Sequence, residues 1–199
     1  MKLPTTFQEI GDFSAYGLGA LLPSPEAEEW TVSDLRQRTH AVHNQTRSII
    51  FRWPARPWKP GEPMAVTRRR DASPALHDAV DACTGALEAH FAGVAIRLML
   101  AELGPGAEVA AHTDRGPALQ LCHRCHVPVR TNPLVEFWID HQLHHFREGV
   151  AYEVDNTRLH SVANRGTTPR VHLICDVMPR DLYAAPHAAR PERTLPLPG

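Results

Sequence analysis

Between Val94 and Met178 the chain is cut into short β-rich runs: VAIRLML, EVAAH, LQLCHRCHVPV, VEFWI, VAYEV, LHSVAN and RVHLICDVM. Gly, Pro, Asn and Asp separate one run from the next, as turns separate strands. A lone strand of this length cannot bury its apolar side. The runs must therefore pair and stack, and so many in one stretch fit a mainly β sandwich or barrel such as a jelly roll.

Upstream the period changes. Leu76, Val80, Cys83, Leu87 and Phe91 recur at helical spacing. Ser73 can cap this helix, Pro74 suits its first position, and Gly93 can end it. Glu26 to about His40 also reads as helical, with acidic residues early and Arg36 and Arg38 late. TRSIIF (Thr46 to Phe51) reads as a strand, and RWPARPWKPGEP is too proline-rich for regular structure. Arg47, Arg52, Trp53 and Trp58 are candidate substrate contacts there. At 199 residues the chain suits one domain. Residues 1–93 would support a β core over 94–179, and the Pro- and Ala-rich stretch 180–199 reads as a loosely ordered tail.

The 21 basic and 22 acidic side chains leave a formal charge of −1. No field for nucleic acid or an anionic membrane is implied. No apolar run approaches the roughly eighteen residues of a membrane span, and MKLPTTFQEIGDF lacks a signal-peptide core. A cytoplasmic location is expected, where four cysteines do not make a disulfide framework. The 13 histidines turn attention to metal chemistry instead.

Cys122-His123-Arg124-Cys125-His126 spells C-x-x-C-H, the attachment signature of a c-type haem. Its neighbours alternate as a strand does, so Cys122 and Cys125 would point to opposite faces and could not share a haem, a zinc ion or a disulfide. The same alternation puts Arg124, His126 and Pro128 on one face.

His112 and Asp114 stand two apart in AAHTDRG and share a strand face. A distant His completes the two-His-one-carboxylate set used by non-haem Fe(II) oxygenases. His160, near the start of a later run, fills that role, and Arg170 on the next run suits the far carboxylate of a keto diacid. The plainer reading makes His112 a surface residue and Asp114 a turn residue before Gly116. It leaves the joint placement of all four groups unexplained. His141, His144 and His145 in IDHQLHH read as an exposed loop, and Asp155-Asn156 as a turn that orients His160. His172 and Asp176 share a strand face with Arg170.

Taken together, GPGAEVAAHTD, HRCHVPVRTN, AYEVDNTRLHSVAN and RVHLICDVMP resemble the aspartyl/asparaginyl β-hydroxylase family of Fe(II)- and 2-oxoglutarate-dependent dioxygenases, whose broad group includes short bacterial, cis-proline hydroxylase-like enzymes. The resemblance covers about Val94 to Pro179, with a looser echo from Thr46 to Trp53. It implies a double-stranded β-helix, a cupin-like jelly roll with helices outside. His112, Asp114 and His160 would bind Fe(II), Arg170 would pair with the far carboxylate of 2-oxoglutarate, and His126 would help hold that cosubstrate. Arg124 would bind a substrate or cosubstrate carboxylate. O₂ and 2-oxoglutarate would be consumed as a C–H bond is hydroxylated, on an amino acid or on an amino-acid side chain in a peptide or carrier-bound metabolite. Animal members carry Gly where Asp114 stands here. The fuller triad argues against halogenation, which needs that vacant place. The serine with which the family helps bind 2-oxoglutarate has no match in RLMLAEL. The animal members' repeat domain and membrane anchor are not seen in this sequence, so their folded-domain substrate is not carried over. The competing reading is a non-enzymatic, cupin-like metal-binding sensory module, against which Arg170 argues.

Overall fold

Two antiparallel sheets account for the β-rich runs. The computed structural model describes residues 3–39, 41–55, 57–59, 62 and 64–183. Among them lie β1 (Phe7–Asp12), β2 (Thr46–Pro54), β3 (Val66–Arg68), β4 (Gly93–Leu103), β5 (Glu108–His112) and β6 (His123–Arg130). The chain continues through β7 (Val135–Ile139), β8 (Gln142–His144), β9 (Val150–Val154), β10 (His160–Asn164) and β11 (Arg170–Pro179). The helices are α1 (Leu35–Thr39), α2 (Pro74–His90), α3 (Pro117–Leu121) and α4 (Arg180–Tyr183). The major sheet runs β1-β9-β6-β11-β4-β2-β3 and the minor sheet β5-β10-β7-β8. This is the jelly roll expected, with β1, β2 and β3 of the N-terminal half extending the major sheet.

Alternation along the major sheet sorts side chains between two environments. Leu98 and Leu100 on β4, Val127 and Val129 on β6, and Leu173, Cys175 and Val177 on β11 face outward. There they pack against Leu76, Val80, Cys83 and Leu87 of α2. The opposite face looks at the minor sheet. Part of it is apolar: Leu103, Val109, Val135, Phe137, Ile139, Tyr152, Val154 and Val162 form one cluster with Phe146. The rest is polar, and it carries the site. Register decides which polar residues meet. On β11, Arg170 lies opposite Leu103, His172 opposite Ala101 and Asp176 opposite Arg97 on β4. On the other side of β11, His172 faces Pro128, Ile174 faces His126 and Asp176 faces Arg124 on β6.

Helix α2 begins as its sequence predicts, with Ser73 Oγ accepting from the Leu76 amide at 3.3 Å and Pro74 in the first turn. It ends differently. The left-handed residue is Ala92 (φ 48°), and Gly93 already belongs to β4. Gly93 is small for another reason: a Cβ there would lie 2.5 Å from Val177 Cγ1 and 2.6 Å from the Met178 carbonyl oxygen.

Other expectations need correction. Glu26 to His40 is not one helix. A 3₁₀ turn covers Glu28–Trp30, the Thr31 amide and hydroxyl both donate to the Glu28 carbonyl, and the chain re-enters helix only at α1. That local bonding competes with helix propagation. His40 lies outside the described residues. The LQLC part of LQLCHRCHVPV is not strand either: Pro117 starts α3, and β6 begins at His123. β8 joins β7 through Asp140 and His141, both left-handed (φ 47° and 64°), as a tight hairpin requires. His141 is therefore exposed, but His144 sits on a strand, edge-on to Phe7. Cys122 packs with Trp58, Met64 and Ile96, whereas Cys125 lies under α2. The two thiols sit in separate clusters, and all four cysteines are free. Of the expected tail, Arg180–Tyr183 form α4 and residues 184–199 lie outside the described residues.

The Gly93 packing is testable. Gly93→Ala should lose about 1–3 kcal/mol by overpacking against β11. Gly104→Ala, where an added Cβ meets nothing within 4 Å, should change stability by less than about 0.5 kcal/mol. Urea unfolding of both variants measures the contrast.

Candidate metal centre

His112 ends β5 and His160 begins β10, and antiparallel pairing makes them direct partners. Their ring centroids are 4.3 Å apart. Asp114 follows β5 in a loop whose backbone is pinned by its amide donating to the Asn156 carbonyl (3.0 Å). One donor atom from each of His112, Asp114 and His160 falls within 4.8 Å of the others. The three groups that sequence spacing nominated are therefore brought together.

The ligand atoms are also chemically prepared. His112 Nδ1 lies 2.8 Å from the Ala110 carbonyl and His160 Nδ1 lies 2.9 Å from the Arg158 carbonyl. Each Nδ1–H donates to its carbonyl, which leaves the Nε2 lone pair of each ring free for a metal. Burial holds His160 below the ordinary histidine range, which favours the neutral, ligating form. For Asp114 burial acts upward, but Arg124, His160, an Asn156 hydrogen bond and His112 outweigh it. The carboxyl is held well below the usual carboxylate range. Two imidazoles and one carboxylate, partly exposed at 17% and 11% for the His112 and Asp114 side chains, form a donor set suited to a divalent metal with open positions.

Asp114 is braced from behind. Its Oδ2 accepts from Asn156 Nδ2 at 3.2 Å and from Arg124 Nη1. Asp155-Asn156 thus positions Asp114 through Asn156, while the Arg158 carbonyl orients His160. Arg124 does face the site, as its strand parity predicts. Its fork, however, is already engaged: Nε and Nη2 donate to the two Asp176 oxygens at 2.7 and 2.8 Å, and Nη1 donates to Asp114.

Arg170 is in the opposite condition. It is only 4% exposed, and its Nε has no partner among the described residues. Nη2 donates to His172 Nδ1 at 2.7 Å, and the guanidinium lies over the Phe137 ring. An arginine always donates, so His172 Nδ1 is the acceptor and His126 Nδ1, 3.2 Å from it, carries the proton between the two rings. Both imidazoles are pushed well below 6.5, first by burial and then by Arg170.

Several residues at the site escaped the sequence reading. His43 packs edge-on to His112 at 5.4 Å and is pushed down to about 2 by burial and by Arg36. Arg97 faces inward from β4 and lies 4.3 Å from the Trp53 ring centroid. A lone charge in the otherwise apolar VAIRLML was a signal for it. Ser48, fully buried with a hydroxyl that has no partner among the described residues, lies in register with Ala101 and hence in the row of His172. Of the guessed substrate contacts, Arg47 and Arg52 are corrected. Arg47 pairs with Glu102, its register partner on the outward face of β4, and Arg52 pairs with Glu88 of α2 because a bulge after Ile50 turns it outward. Trp58 is buried beside Cys122.

A jelly roll carrying two histidines and a carboxylate beside a buried arginine defines the class of 2-oxoglutarate–Fe(II) oxygenases. The model of the aspartyl/asparaginyl beta-hydroxylase family matches residues 26–179, and the chain belongs to that family. It is thus an enzyme, an oxygenase-type hydroxylase, which displaces the sensory-module reading. The fold is shared with a 2OG-Fe(II) oxygenase family oxidoreductase from Burkholderia pseudomallei. That structure is 14% identical, with 90% of this chain and 96% of that one covered at a TM-score of 0.50. It is shared also with the viral collagen prolyl hydroxylase of Paramecium Bursaria Chlorella virus-1, solved as a 2OG complex. There the identity is 10%, the coverage 87% and 96%, and the TM-score 0.55. No curated protein matches the sequence. No helix among the described residues is long and apolar enough to cross a membrane.

The buried imidazoles predict a pH dependence. His126 and His172 stay neutral in the folded protein, whereas unfolded histidines take up protons below about 6.5. The unfolded state therefore binds more protons as pH falls. Stability is fully present above pH 6.5 and declines below it, by up to about 1.4 kcal/mol per pH unit for each imidazole. Urea midpoints of the metal-free protein should be flat from pH 8 to 7 and fall towards pH 5. His172→Gln should show a shallower fall.

Proposed function

We propose that the protein is an Fe(II)- and 2-oxoglutarate-dependent dioxygenase that hydroxylates an amino acid, or an amino-acid side chain in a peptide or carrier-bound metabolite. His112, Asp114 and His160 are the metal ligands. Arg170 holds the far carboxylate of 2-oxoglutarate, with Ser48 in reach of the same pocket by register. His126 serves this pocket through His172, whose orientation it fixes.

The observation that carries the reading is Arg170. A guanidinium buried without a carboxylate partner among the described residues is costly unless an anion completes it. Arg170 meets His172 and through it His126, which feels Arg170, His160 and Asp114 together, and a keto acid bound to the metal would direct its second carboxylate towards that arginine. When bound, iron with 2-oxoglutarate and O₂ supplies the oxidising power, giving succinate, CO₂ and a hydroxylated product. The chain's own share is placement. The Ala110 and Arg158 carbonyls fix the two ring tautomers, and Arg124 and Asn156 hold Asp114 deprotonated and aimed. Phe137 backs the Arg170 guanidinium and keeps water from it.

Anaerobic visible spectra test the reading. A weak charge-transfer band should appear only with Fe(II) and 2-oxoglutarate together, and His160→Ala should abolish it. Arg170→Met should raise the 2-oxoglutarate needed for half-maximal band by at least about tenfold, the effect of removing one buried charged partner. Folded, iron-loaded protein that gives no band with 2-oxoglutarate refutes the proposal.

A further inference from the structure

Two buried guanidinium groups on the inner face pair with no carboxylate among the described residues. Arg170 is one. Arg36 of α1, 8% exposed, is the other. Its Nη1 donates to the Thr46 hydroxyl at 3.1 Å, a neutral acceptor. A buried cation bonded only to a neutral oxygen stays uncompensated, which is costly unless an anion joins it.

Sheet register sets the second cation beside the first. Thr46 on β2 lies opposite Leu103 on β4, and Leu103 lies opposite Arg170 on β11. The three residues form one row across the inner face, and Arg36 is anchored at its β2 end. Neighbouring strands are about 4.8 Å apart, so the row spans about 10 Å, a gap that two arginine side chains with a carboxylate between them can close. The next row is Ser48, Ala101 and His172. Here the buried Ser48 hydroxyl has no partner among the described residues, and His172 Nδ1 accepts from Arg170 Nη2. The Arg170 Nε likewise has no partner there.

The metal cluster approaches Arg36 from the other direction. The Thr46 hydroxyl that accepts from Arg36 donates to the His43 carbonyl at 2.7 Å, and the His43 ring lies edge-on to His112. Arg36 therefore stands between the candidate metal ligands and the row of Arg170, on the β2 flank. Burial and the positive charge of Arg36 push Arg170 down to about 9, as expected of two cations that share one space without an anion.

We propose that Arg36 is a second cosubstrate residue, which closes with Arg170 on the far carboxylate of 2-oxoglutarate while Ser48 donates to the same group. The proposal rests on the assignment of His112, Asp114, His160 and Arg170 to metal and cosubstrate, and adds to it a cation from a short helix outside the β core. Guanidinium forks match carboxylate edges, and one carboxylate entering between them relieves their repulsion. A 2-oxo acid that ends in a methyl group relieves nothing.

The test uses the full chain, loaded anaerobically with Fe(II). The charge-transfer band is titrated with 2-oxoglutarate and with 2-oxopentanoate, which lacks the far carboxylate. Wild type, Arg36→Gln, Arg36→Lys and Arg170→Met are compared. Arg36→Gln should raise the 2-oxoglutarate needed for half-maximal band about tenfold or more and leave the 2-oxopentanoate titration unchanged. Arg36→Lys, which keeps the charge but not the fork, should show a smaller selective loss. Urea midpoints give a second readout. Metal-free Arg36→Gln should be at least as stable as wild type, because one of two repelling cations is gone, and should gain less when Mn(II) and 2-oxoglutarate are added. A 2-oxoglutarate titration of Arg36→Gln equal to that of wild type overturns the proposal. So does equal weakening for both keto acids, or weakened Fe(II) binding, which would make Arg36 a support of His43 and His112. If Arg36→Gln does not fold, Arg36→Lys decides: selective weakening of 2-oxoglutarate supports the proposal, and a wild-type titration overturns it. No band in wild type, or an unchanged 2-oxoglutarate titration in Arg170→Met, would instead refute the metal and cosubstrate assignment, and the proposal with it.

Discussion

The Arg124 guanidinium ties the site to the scaffold. It reaches Asp176 on β11 through two parallel hydrogen bonds and Asp114, beyond β5 of the other sheet, through a third. β6 and β11 pair so that Arg124 and Asp176 are direct register partners. The ion pair is therefore built on two adjacent central strands of the major sheet, covered by α2. Asp114 sits on a loop and would otherwise wander. Buried charges of this kind tolerate no missing member, because the remaining partner would be left uncompensated. The carboxylate of the candidate metal cluster inherits its aim from the major sheet.

Around this clamp the inner face is organised by polarity. One end is an apolar cluster of Phe137, Phe146, Tyr152 and their neighbours, which closes the space between the sheets and floors Arg170. The other end holds arginines and neutral imidazoles. A sheet interior chosen for stability alone would not contain Arg36, Arg97 and Arg170 with so few carboxylates. Their presence is a local violation of good packing, of the kind folds concentrate at functional sites. Neutral His126, His172 and His43 add polar contacts there without adding charge. The enzyme thus keeps an electropositive interior open to anions while its outer core, under α2, is conventionally apolar.

Much of this was legible in the chain. His112, Asp114 and His160 could be read because strand parity and pairing are simple rules, and Arg170, His172 and Asp176 share one parity on β11. The c-type haem signature could be set aside for the same reason, although Cys122 proves to lie at the end of α3 rather than on β6. Other elements were not legible. Nothing local marks Arg36 as buried: it sits in a five-residue helix among polar neighbours and becomes interior only because that helix lies over β2. Arg47 and Arg52 were candidate substrate contacts and Arg97 was not, yet Arg47 pairs with Glu102 on the outward face, a bulge in β2 turns Arg52 outward to Glu88, and Arg97 faces inward. Ser48 is separated from His172 by more than a hundred positions, and only the β2-β4-β11 register joins them.

The sequence by itself determined the kind of fold, the candidate metal-binding cluster and the family, because alternation, turns and ligand spacing are short-range patterns written along the chain. The tertiary structure alone decided which charges are compensated. Compensation depends on distances between strands and on burial, and neither is a property of any local segment. Arg124 and Arg170 look alike as letters. Arg124 is saturated by two carboxylates, and Arg170 pairs with none among the described residues.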